Sequence, residues 1–316
     1  MKFLFLFLDG IGLAQPDPKY NPFEAAEMPH LRELLDGHQL VNPNPLENPS
    51  NALKPLIENN RATLLSIDAC LGIEGLPQSA SGQATLLTGQ NVPEALGYHY
   101  GPKPNTEIAN ILKNGNLFDI LRENGRRPAL LNAFPRSYFE ALNSGRRLPG
   151  AIAMAVRFAG LSLFSEEDLY AGRAISADLT GQGWRDYLGY PDAPVCTPYQ
   201  AGVRLAELGA VYDFALFEFW LSDLTGHRRD MDSACNLLEN FDQTLNGILD
   251  TWDAEEGLIL ITSDHGNLED LSTRRHTINP VPALLIGSQR TRSAFTDNLI
   301  DIADIAPAIL RGLLTQ

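Results

Sequence analysis

Short apolar segments alternate along this chain with longer segments of helical periodicity, and this alternation limits the possible folds more than any other feature. Such alternation is typical of a mostly parallel sheet with helices on both faces. The predicted strands are residues 3–8, 62–67, 129–133, 211–219, 258–262 and 283–286. The predicted helices are residues 82–88, 117–123, 198–208, 231–252 and 304–313. The sequence therefore predicts an α/β fold.

Two stretches do not follow this alternation. Residues 42–50 are rich in proline and asparagine, which is typical of a surface loop. From about residue 136 to residue 190 the strand-like runs give way to helical segments, such as residues 148–163. We therefore predict a core formed by residues 1–135 and 191–316, with a small and mostly helical cap inserted at 136–190.

Composition narrows the class of protein. Of the 316 residues, 44% are apolar and 20% are charged, as in ordinary soluble globular proteins. No apolar run approaches the ~20 residues that a membrane-spanning helix needs, so we expect no membrane partner. The run at residues 3–8 could belong to a secretory signal, but Asp9 stops it and no small-residue cleavage site follows. A buried first strand is the favoured interpretation.

The net charge and the cysteine content narrow the class of protein further. The formal net charge of -15 argues against general nucleic-acid binding, because that function requires a basic surface. An acidic protein can still bind anionic substrates where metal ions supply local positive charge. Cys70, Cys196 and Cys235 are scattered and odd in number, which predicts neither a disulfide framework nor a thiolate metal site. We expect a cytoplasmic protein.

Four motifs rich in acidic, histidine or hydroxyl residues lie near the carboxyl ends of predicted strands, where open α/β sheets place their ligands. The first is Asp9-Gly10-Ile11-Gly12. An acidic turn with glycines at positive φ would explain it, and so would metal ligation by Asp9. A dinucleotide-binding loop is a third alternative, but Gln15 stands where its last glycine belongs, and Asp9 would repel a pyrophosphate.

The second motif, Ser79-Ala80-Ser81-Gly82, is a hydroxyl-rich turn that leads into a predicted helix. A serine at a helix N-terminus lies where the helix dipole and the free N–H groups favour an anion. The commonest role of a serine before a helix is that of an N-cap, which is the alternative for Ser79. The residues by themselves favour neither role.

The third and fourth motifs contain histidines beside carboxylates. Asp223 and His227 are four residues apart and share a helical face, so they can bind one cation or form an exposed ion pair. Asp264 and His265 are adjacent, so their side chains can point toward different ions, and His276 follows shortly after. Each motif alone has an ordinary structural explanation. Four coincidences at equivalent strand ends are better explained by a metal site.

Together these motifs resemble the alkaline phosphatase superfamily, and most closely its branch of cofactor-independent phosphoglycerate mutases and related metalloenzymes. The most specific segments are Thr262-Ser263-Asp264-His265-Gly266-Asn267 and His276-Thr277-Ile278-Asn279-Pro280-Val281-Pro282. The resemblance covers roughly residues 1–97 and 198–282. It implies an alkaline phosphatase-like core that binds two divalent metal ions, manganese or zinc.

The resemblance also implies a role for each matched residue. One cation would be held by Asp223, His227 and His276, and the second by Asp9, Asp264, His265 and the Ser79 oxygen. In the related sulfatases the nucleophile precedes a Leu-Thr-Gly sequence at a fixed spacing, and the same spacing counted back from Thr88 gives Ser79. The nucleophile would therefore be Ser79, with Ser81 as the alternative.

Phosphoryl transfer through a phosphoserine to or from a small phosphorylated substrate is the activity that the resemblance implies. The mutases carry a much larger second domain between the positions of Ser79 and Asp223, and this chain has no room for it. We therefore favour a phosphatase or phosphodiesterase, with a phosphomutase as the alternative and a metal-stabilised binding protein as a third hypothesis. A sulfatase is disfavoured, because Ser81 and Gln83 replace the proline and arginine of its signature.

Candidate substrate-binding residues come from the segments after the Ser79 helix. Tyr100 and Lys103 lie in the loop that follows this helix, and Arg136 begins the predicted cap. An arginine beside a metal centre favours phosphate through paired hydrogen bonds, although most such cations lie on solvated helix faces. These three residues are predicted to contact the substrate.

Overall fold

The computed structural model describes residues 1–45 and 54–315, so the predicted loop at 42–50 lies outside the described residues from residue 46 onward. The strands, in chain order, are β1 (Lys2–Leu8), β2 (Ile57–Glu58), β3 (Ala62–Ile67), β4 (Pro128–Leu130), β5 (Ala133–Phe134), β6 (Phe164–Ser165), β7 (Phe214–Phe219), β8 (Gly257–Thr262) and β9 (Val281–Ile286). Seven of them form one sheet in the order β2-β3-β9-β8-β1-β7-β4. β8, β1, β7 and β4 are mutually parallel, whereas β9 runs antiparallel to β8 and β3.

Helices cover both faces of this sheet. They are α1 (Pro22–Ala25), α2 (Pro29–Leu34), α3 (Ser79–Thr88), α4 (Val92–Leu96), α5 (Thr106–Lys113), α6 (Leu117–Glu123), α7 (Arg136–Asn143), α8 (Ala151–Phe158), α9 (Glu166–Tyr170), α10 (Gln182–Tyr187), α11 (Pro198–Val211), α12 (Leu221–Arg228), α13 (Met231–Thr251), α14 (Gln289–Thr296) and α15 (Ile305–Leu314). None of the helices in the described part of the chain has the length and apolar character needed to cross a membrane.

The central strand β1 shows why its sequence is an unbroken apolar run. Phe3, Phe5 and Phe7 pack in the hydrophobic cluster that contains α3, α5, α6, α8 and α15. The alternate residues of β1 pack in a second cluster, on the other face, with α2, α11 and α13. A strand buried on both faces loses the alternation of polar and apolar residues. The predicted α/β fold with a mostly parallel sheet is confirmed.

At two predicted element boundaries that differ from the observed ones, side chains form hydrogen bonds with the backbone. The strand predicted at 129–133 is divided into β4 and β5. Between them, Asn132 Oδ1 accepts a hydrogen bond from Glu218 N–H, and Asn132 Nδ2 donates to the Glu218 carbonyl, both at 2.8 Å. The helix predicted to begin at residue 304 begins at Ile305, after a short 3-10 turn that is capped by Asp301.

The segment predicted as an inserted cap, residues 136–190, contains α7 to α10 and β6. Buried residues of α8 belong to the main hydrophobic cluster, so this helix packs as part of the core. A separate small cluster forms farther along, and it contains Leu169, Ala174 and Trp184. The division of the chain at 136–190 stays a prediction, and α8 is the part of that segment that joins the main core.

Candidate metal centre

The predicted ligands converge at one edge of the sheet. Asp9 follows β1 directly, Asp223 lies on α12 just after β7, and Asp264 and His265 follow β8. Because β7, β1 and β8 are parallel neighbours, their carboxyl ends lie side by side. The loop between β8 and β9 brings His276 to the same edge. The fold thus places residues that are distant in sequence around one site.

Asp223, His227 and His276 form the first ligand group. Asp223 Oδ2 lies 3.3 Å from His227 Nε2, and Asp223 Oδ1 lies 3.6 Å from His276 Nε2. The two Nε2 atoms are 3.4 Å apart. Since a carbonyl can only accept, His227 Nδ1–H donates to the Arg274 carbonyl at 2.9 Å and His276 Nδ1–H donates to the Pro77 carbonyl at 2.7 Å. Both Nε2 lone pairs are therefore left for a shared cation.

The second group surrounds His265. Its Nε2 atom lies 3.0 Å from Ser79 Oγ, 3.4 Å from Asp9 Oδ1 and 3.7 Å from Asp264 Oδ2. One ligand atom each from Asp9, Asp223 and His265 also lie within 4.8 Å of one another. Asp223, which the resemblance assigned to the first cation alone, therefore lies close to both groups.

Burial and unsatisfied oxygens show that these residues fit a divalent cation. Asp264 and His265 have no exposed surface, and Asp9 is 7% exposed. Asp9 Oδ1 and both carboxylate oxygens of Asp264 have no hydrogen-bond donor among the described residues. Burial, with nearby carboxylates adding to it, raises the pKa of Asp9 and of Asp264 well above the usual range. A bound cation would supply the missing partner and stabilise the charged carboxylates.

The protonation states of the histidines are also those that cation binding requires. Burial lowers the pKa of His265 well below its ordinary value, and the nearby His276 adds to this effect. Burial also lowers the pKa of His276. Metal ligation requires the neutral form of the imidazole. Both rings are therefore neutral at pH 7, as ligands must be.

The structure separates the two candidate serines. Gln78 occupies the N-cap position of α3, so the interpretation of Ser79 as an N-cap is wrong, and its Oγ atom contacts His265 instead. Ser81 is fully buried, donates to the Gln78 carbonyl at 3.1 Å and accepts from Tyr100 N–H at 3.0 Å. Ser81 is thus committed to backbone contacts, and Ser79 is the hydroxyl that faces the ligand group.

Two glycines allow the close approach of these elements. Gly10 has φ +70°, and a Cβ atom there would lie 2.7 Å from Asp223 Oδ1. A Cβ atom on Gly82 would lie 2.9 Å from Asp264 Cβ, so a larger residue would push α3 away from that ligand. The glycine three residues after Ser79 therefore sets the distance between the candidate nucleophile and Asp264.

Three further residues orient the candidate ligands, and none of them was assigned a role from the sequence. Asn267 Nδ2 donates to Asp223 Oδ1 at 2.6 Å and to the Asp223 carbonyl at 3.0 Å. Ser263 Oγ accepts from Ile11 N–H at 2.9 Å and donates to the His265 carbonyl at 3.0 Å. Ser222 Oγ donates to the Asp9 carbonyl at 2.6 Å. All three lie within or beside the ligand motifs. This proximity was the only indication in the sequence that they support the site.

The candidate substrate-binding residues have different surroundings. The Tyr100 ring packs against the main hydrophobic cluster. Lys103 is exposed. Partial desolvation lowers its pKa, while the carboxylates of Glu218 and Asp9 act against that shift. Arg136 is also exposed and forms an ion pair with Glu140 at 3.1 Å. Lys103 therefore lies within electrostatic range of Glu218 and Asp9, whereas Arg136 is engaged on the surface of α7.

Comparison with known proteins agrees with this site. The Metalloenzyme superfamily matches residues 203–316. The 2,3-bisphosphoglycerate-independent phosphoglycerate mutase of Antithamnion sp. is 31% identical over 129 residues, which cover 38% of this chain and 25% of that protein. The protein of the same name from Desulforudis audaxviator is 30% identical over 105 residues, which cover 31% of this chain and 20% of that protein. The chain thus spans about a quarter or less of the length of these relatives.

Solved structures share the fold along the whole chain. The PH0037 protein from Pyrococcus horikoshii has a TM-score of 0.57 and 17% identity, covering 100% of this chain and 97% of that chain. The alkaline phosphatase from the Antarctic bacterium TAB5 has a TM-score of 0.53 and 12% identity, covering 99% and 97%. The family match and the relatives show that part of this chain is similar to metalloenzymes and to cofactor-independent phosphoglycerate mutases. The solved structures show that the chain shares the fold of an alkaline phosphatase.

Proposed function

We propose that this protein is a metal-dependent phosphoryl-transfer enzyme that hydrolyses a phosphate mono- or diester through a phosphoserine at Ser79. The observation that carries the proposal is the position of Ser79 Oγ, 3.0 Å from His265 Nε2 and beside buried carboxylate oxygens that have no donor in the described chain. A hydroxyl in such a place is a candidate nucleophile.

The residues of the two ligand groups define where cations would be bound. We propose that Asp223, His227 and His276 hold one ion and that Asp9, Asp264, His265 and Ser79 hold the other, with manganese or zinc as the expected metal. Two bound ions supply positive charge that lowers the pKa of a hydroxyl nucleophile and stabilises the charge that develops during phosphoryl transfer.

Ser79 performs the covalent step in this proposal. Its hydroxyl loses a proton and Oγ attacks phosphorus, so a bond from oxygen to phosphorus forms while the bond to the leaving alcohol breaks. The alcohol leaves and takes up a proton. Water then cleaves the phosphoserine and restores the hydroxyl, which releases inorganic phosphate from a monoester substrate or a phosphate monoester from a diester substrate. The N-terminus of α3, where Ser79 is the first helical residue, favours the negative charge of the phosphoryl group.

Substrate contacts are proposed on the side of the centre that faces Lys103. Its ammonium group lies close enough to Glu218 and Asp9 for their charges to influence it. Tyr100 is carried by the same loop, and its backbone is bonded to Ser81. We propose that Lys103 contacts a phosphoryl or neighbouring oxygen of a small phosphorylated substrate, with Tyr100 and Arg136 as further candidates.

The segment between Ser79 and Asp223 favours hydrolysis over isomerisation. All residues from Ser79 to Asp223 are described, and they form α4 to α11 with short strands between them. Several of these helices, α5, α6 and α8 among them, pack on the main core and leave little chain to enclose and reorient a phosphorylated intermediate. A phosphomutase is the second candidate, because the matched relatives are named as phosphoglycerate mutases.

Product analysis with purified, Mn²⁺-loaded protein separates these candidates. A panel of sugar phosphates, phosphoglycerates and aryl phosphate mono- and diesters would be incubated with the wild type and the Ser79→Ala variant. We expect Ser79-dependent release of inorganic phosphate from the monoesters, or of an alcohol and a phosphate monoester from the diesters. Stoichiometric isomer formation without free phosphate would establish the phosphomutase instead. Absence of any turnover, with metals bound and Ser79 intact, would favour a binding protein.

A further inference from the structure

Glu269 is a buried carboxylate that joins three segments of the candidate metal centre, one in the loop after β1 and two in the loop between β8 and β9, which contains Glu269 itself. It is only 1% exposed. Its Oε2 atom accepts from Gly12 N–H at 2.9 Å and from Asn267 N–H at 2.7 Å. Its Oε1 atom accepts from the Thr277 hydroxyl and from Asn279 Nδ2, the latter at 3.0 Å. Four donors therefore surround one charged group that has no access to solvent.

Each donor belongs to a loop that carries a predicted ligand. Gly12 is in the loop that begins with Asp9, Asn267 follows His265 by two residues, and Thr277 is adjacent to His276. The hydrogen bond from Gly12 to Glu269 connects residues 257 positions apart in sequence. One carboxylate thus fixes the relative placement of segments from opposite ends of the chain.

The surroundings of Glu269 leave little freedom for another arrangement. A Cβ atom on Gly12 would lie 3.0 Å from Glu269 Oε2, and one on Gly266 would lie 3.0 Å from Glu269 Cδ. The loops can therefore approach the carboxylate only because both positions are glycine. Thr277 N–H also donates to the Gly266 carbonyl at 3.0 Å, which holds two parts of the loop between β8 and β9 together behind the carboxylate.

A neutral amide cannot replace this carboxylate. An ionised carboxylate offers acceptors on both oxygens, and hydrogen bonds to an ionised acceptor are stronger than those between neutral groups. In a Glu269→Gln variant one of the two positions becomes an NH₂ group that faces two donors. At least one loop would then lose its connection, and the ligand that it carries would move.

We propose that Glu269 is a positioning residue that holds the loops of Asp9, His265 and His276 at the spacing required for cation binding. The inference rests on the proposed function only in taking these three residues as metal ligands. Hydrogen-bonding partners of metal ligands typically contribute 10-fold to 100-fold to metal affinity. Glu269 acts one step farther away, but it acts on three ligand-bearing segments at once.

The test compares Glu269→Gln with Asp242→Asn. Asp242 is also fully buried, and it accepts from His30 N–H at 3.2 Å and Leu31 N–H at 2.7 Å at the start of α2. Mn²⁺ affinity of the metal-free full chain would be measured by calorimetry, together with thermal unfolding without metal. We expect about 10-fold to 100-fold weaker Mn²⁺ binding in Glu269→Gln and unchanged binding in Asp242→Asn, although both variants lower the unfolding temperature.

Two outcomes would overturn the inference. Glu269→Gln could bind Mn²⁺ within twofold of the wild type, or Asp242→Asn could lose as much affinity as Glu269→Gln. If Glu269→Gln does not fold, Asn279→Ala removes a single donor to Oε1 and is expected to weaken Mn²⁺ binding severalfold. Unchanged binding in that variant would count equally against the inference. Failure of the wild type to bind Mn²⁺ or Zn²⁺ would instead contradict the proposed function.

Discussion

The imidazole rings of His265 and His276 stack with their centroids 3.8 Å apart and an angle of 13° between the planes. His276 belongs to the group formed with Asp223 and His227, whereas His265 contacts Ser79 and Asp9. The stack therefore joins the two ligand groups through neutral rings. Because these two rings contact each other directly, the two ligand groups form one site.

Substitution of Ser79 is expected to abolish turnover without unfolding the protein. Ser79→Ala removes the proposed nucleophile, and loss of a nucleophile typically lowers kcat by about 1,000-fold or more. The measurement is release of p-nitrophenol from its phosphate ester, with Mn²⁺ bound.

Ser81→Ala is the matched control. It loses the hydrogen bonds to Gln78 and Tyr100, so the free energy of unfolding should fall by about 1 kcal/mol while turnover is retained. Normal turnover in Ser79→Ala would contradict the assignment of the nucleophile.

Removal of metal is expected to destabilise the fold, because buried carboxylates would lose their counter-charge. Adding Mn²⁺ to the metal-free protein at 100 times Kd should raise the free energy of unfolding by about 2.7 kcal/mol. Asp264→Asn should lose most of this gain. In the metal-free state the same variant should be as stable as the wild type or more stable, since it removes a buried carboxylate next to Asp9 and Asp223. Thermal unfolding with and without Mn²⁺ measures both effects.

The sequence predicted the sheet, and indicated that the candidate ligands lie together, for a clear physical reason. A strand buried on both faces, such as β1, must be continuously apolar, and functional side chains of such sheets lie just beyond the strand ends. The positions of Asp9, Asp223 and His265 just after strand ends therefore identified them as candidate ligands. The division of the predicted strand at Asn132 was not predictable, because it depends on a contact with Glu218, 86 residues away.

The supporting residues could not be found in the same way. Asn267 ends the motif that contains Asp264 and His265, and Glu269 lies two residues beyond it. The roles of both depend on where Asp223, Gly12 and Thr277 lie in space. Hydrogen-bond partners from distant loops leave no local pattern. The packing of α8 into the core was missed because its small apolar residues fit an inserted helix equally well.

Glu218 is expected to make the stability of the metal-free protein depend on pH. Burial raises the pKa of Glu218 from 4.5 to about 7, while Lys103 acts in the opposite direction. The folded state therefore holds this proton more tightly than the unfolded state, and its stabilising contribution is lost as pH rises from about 4.5 through 7. Glu218→Gln lacks this loss, so its stability relative to the wild type should increase by about 1 to 3 kcal/mol between pH 4.5 and pH 8. Chemical unfolding at several pH values measures the difference, and a difference independent of pH would contradict it.

Lys103 and Arg136 are expected to differ in their effect on substrate binding. Lys103 is within the electrostatic influence of Glu218 and Asp9, so Lys103→Ala removes a cation from the proposed phosphate-binding side. Loss of a charged hydrogen bond of this kind costs roughly 1.5 to 3 kcal/mol, which corresponds to a decrease in kcat/KM of roughly 10-fold to 100-fold. Arg136 is exposed and paired with Glu140, so Arg136→Ala should change kcat/KM less than about twofold. Steady-state kinetics with one phosphate ester measures both effects. A larger decrease in kcat/KM in Arg136→Ala than in Lys103→Ala would place the substrate on the α7 side instead.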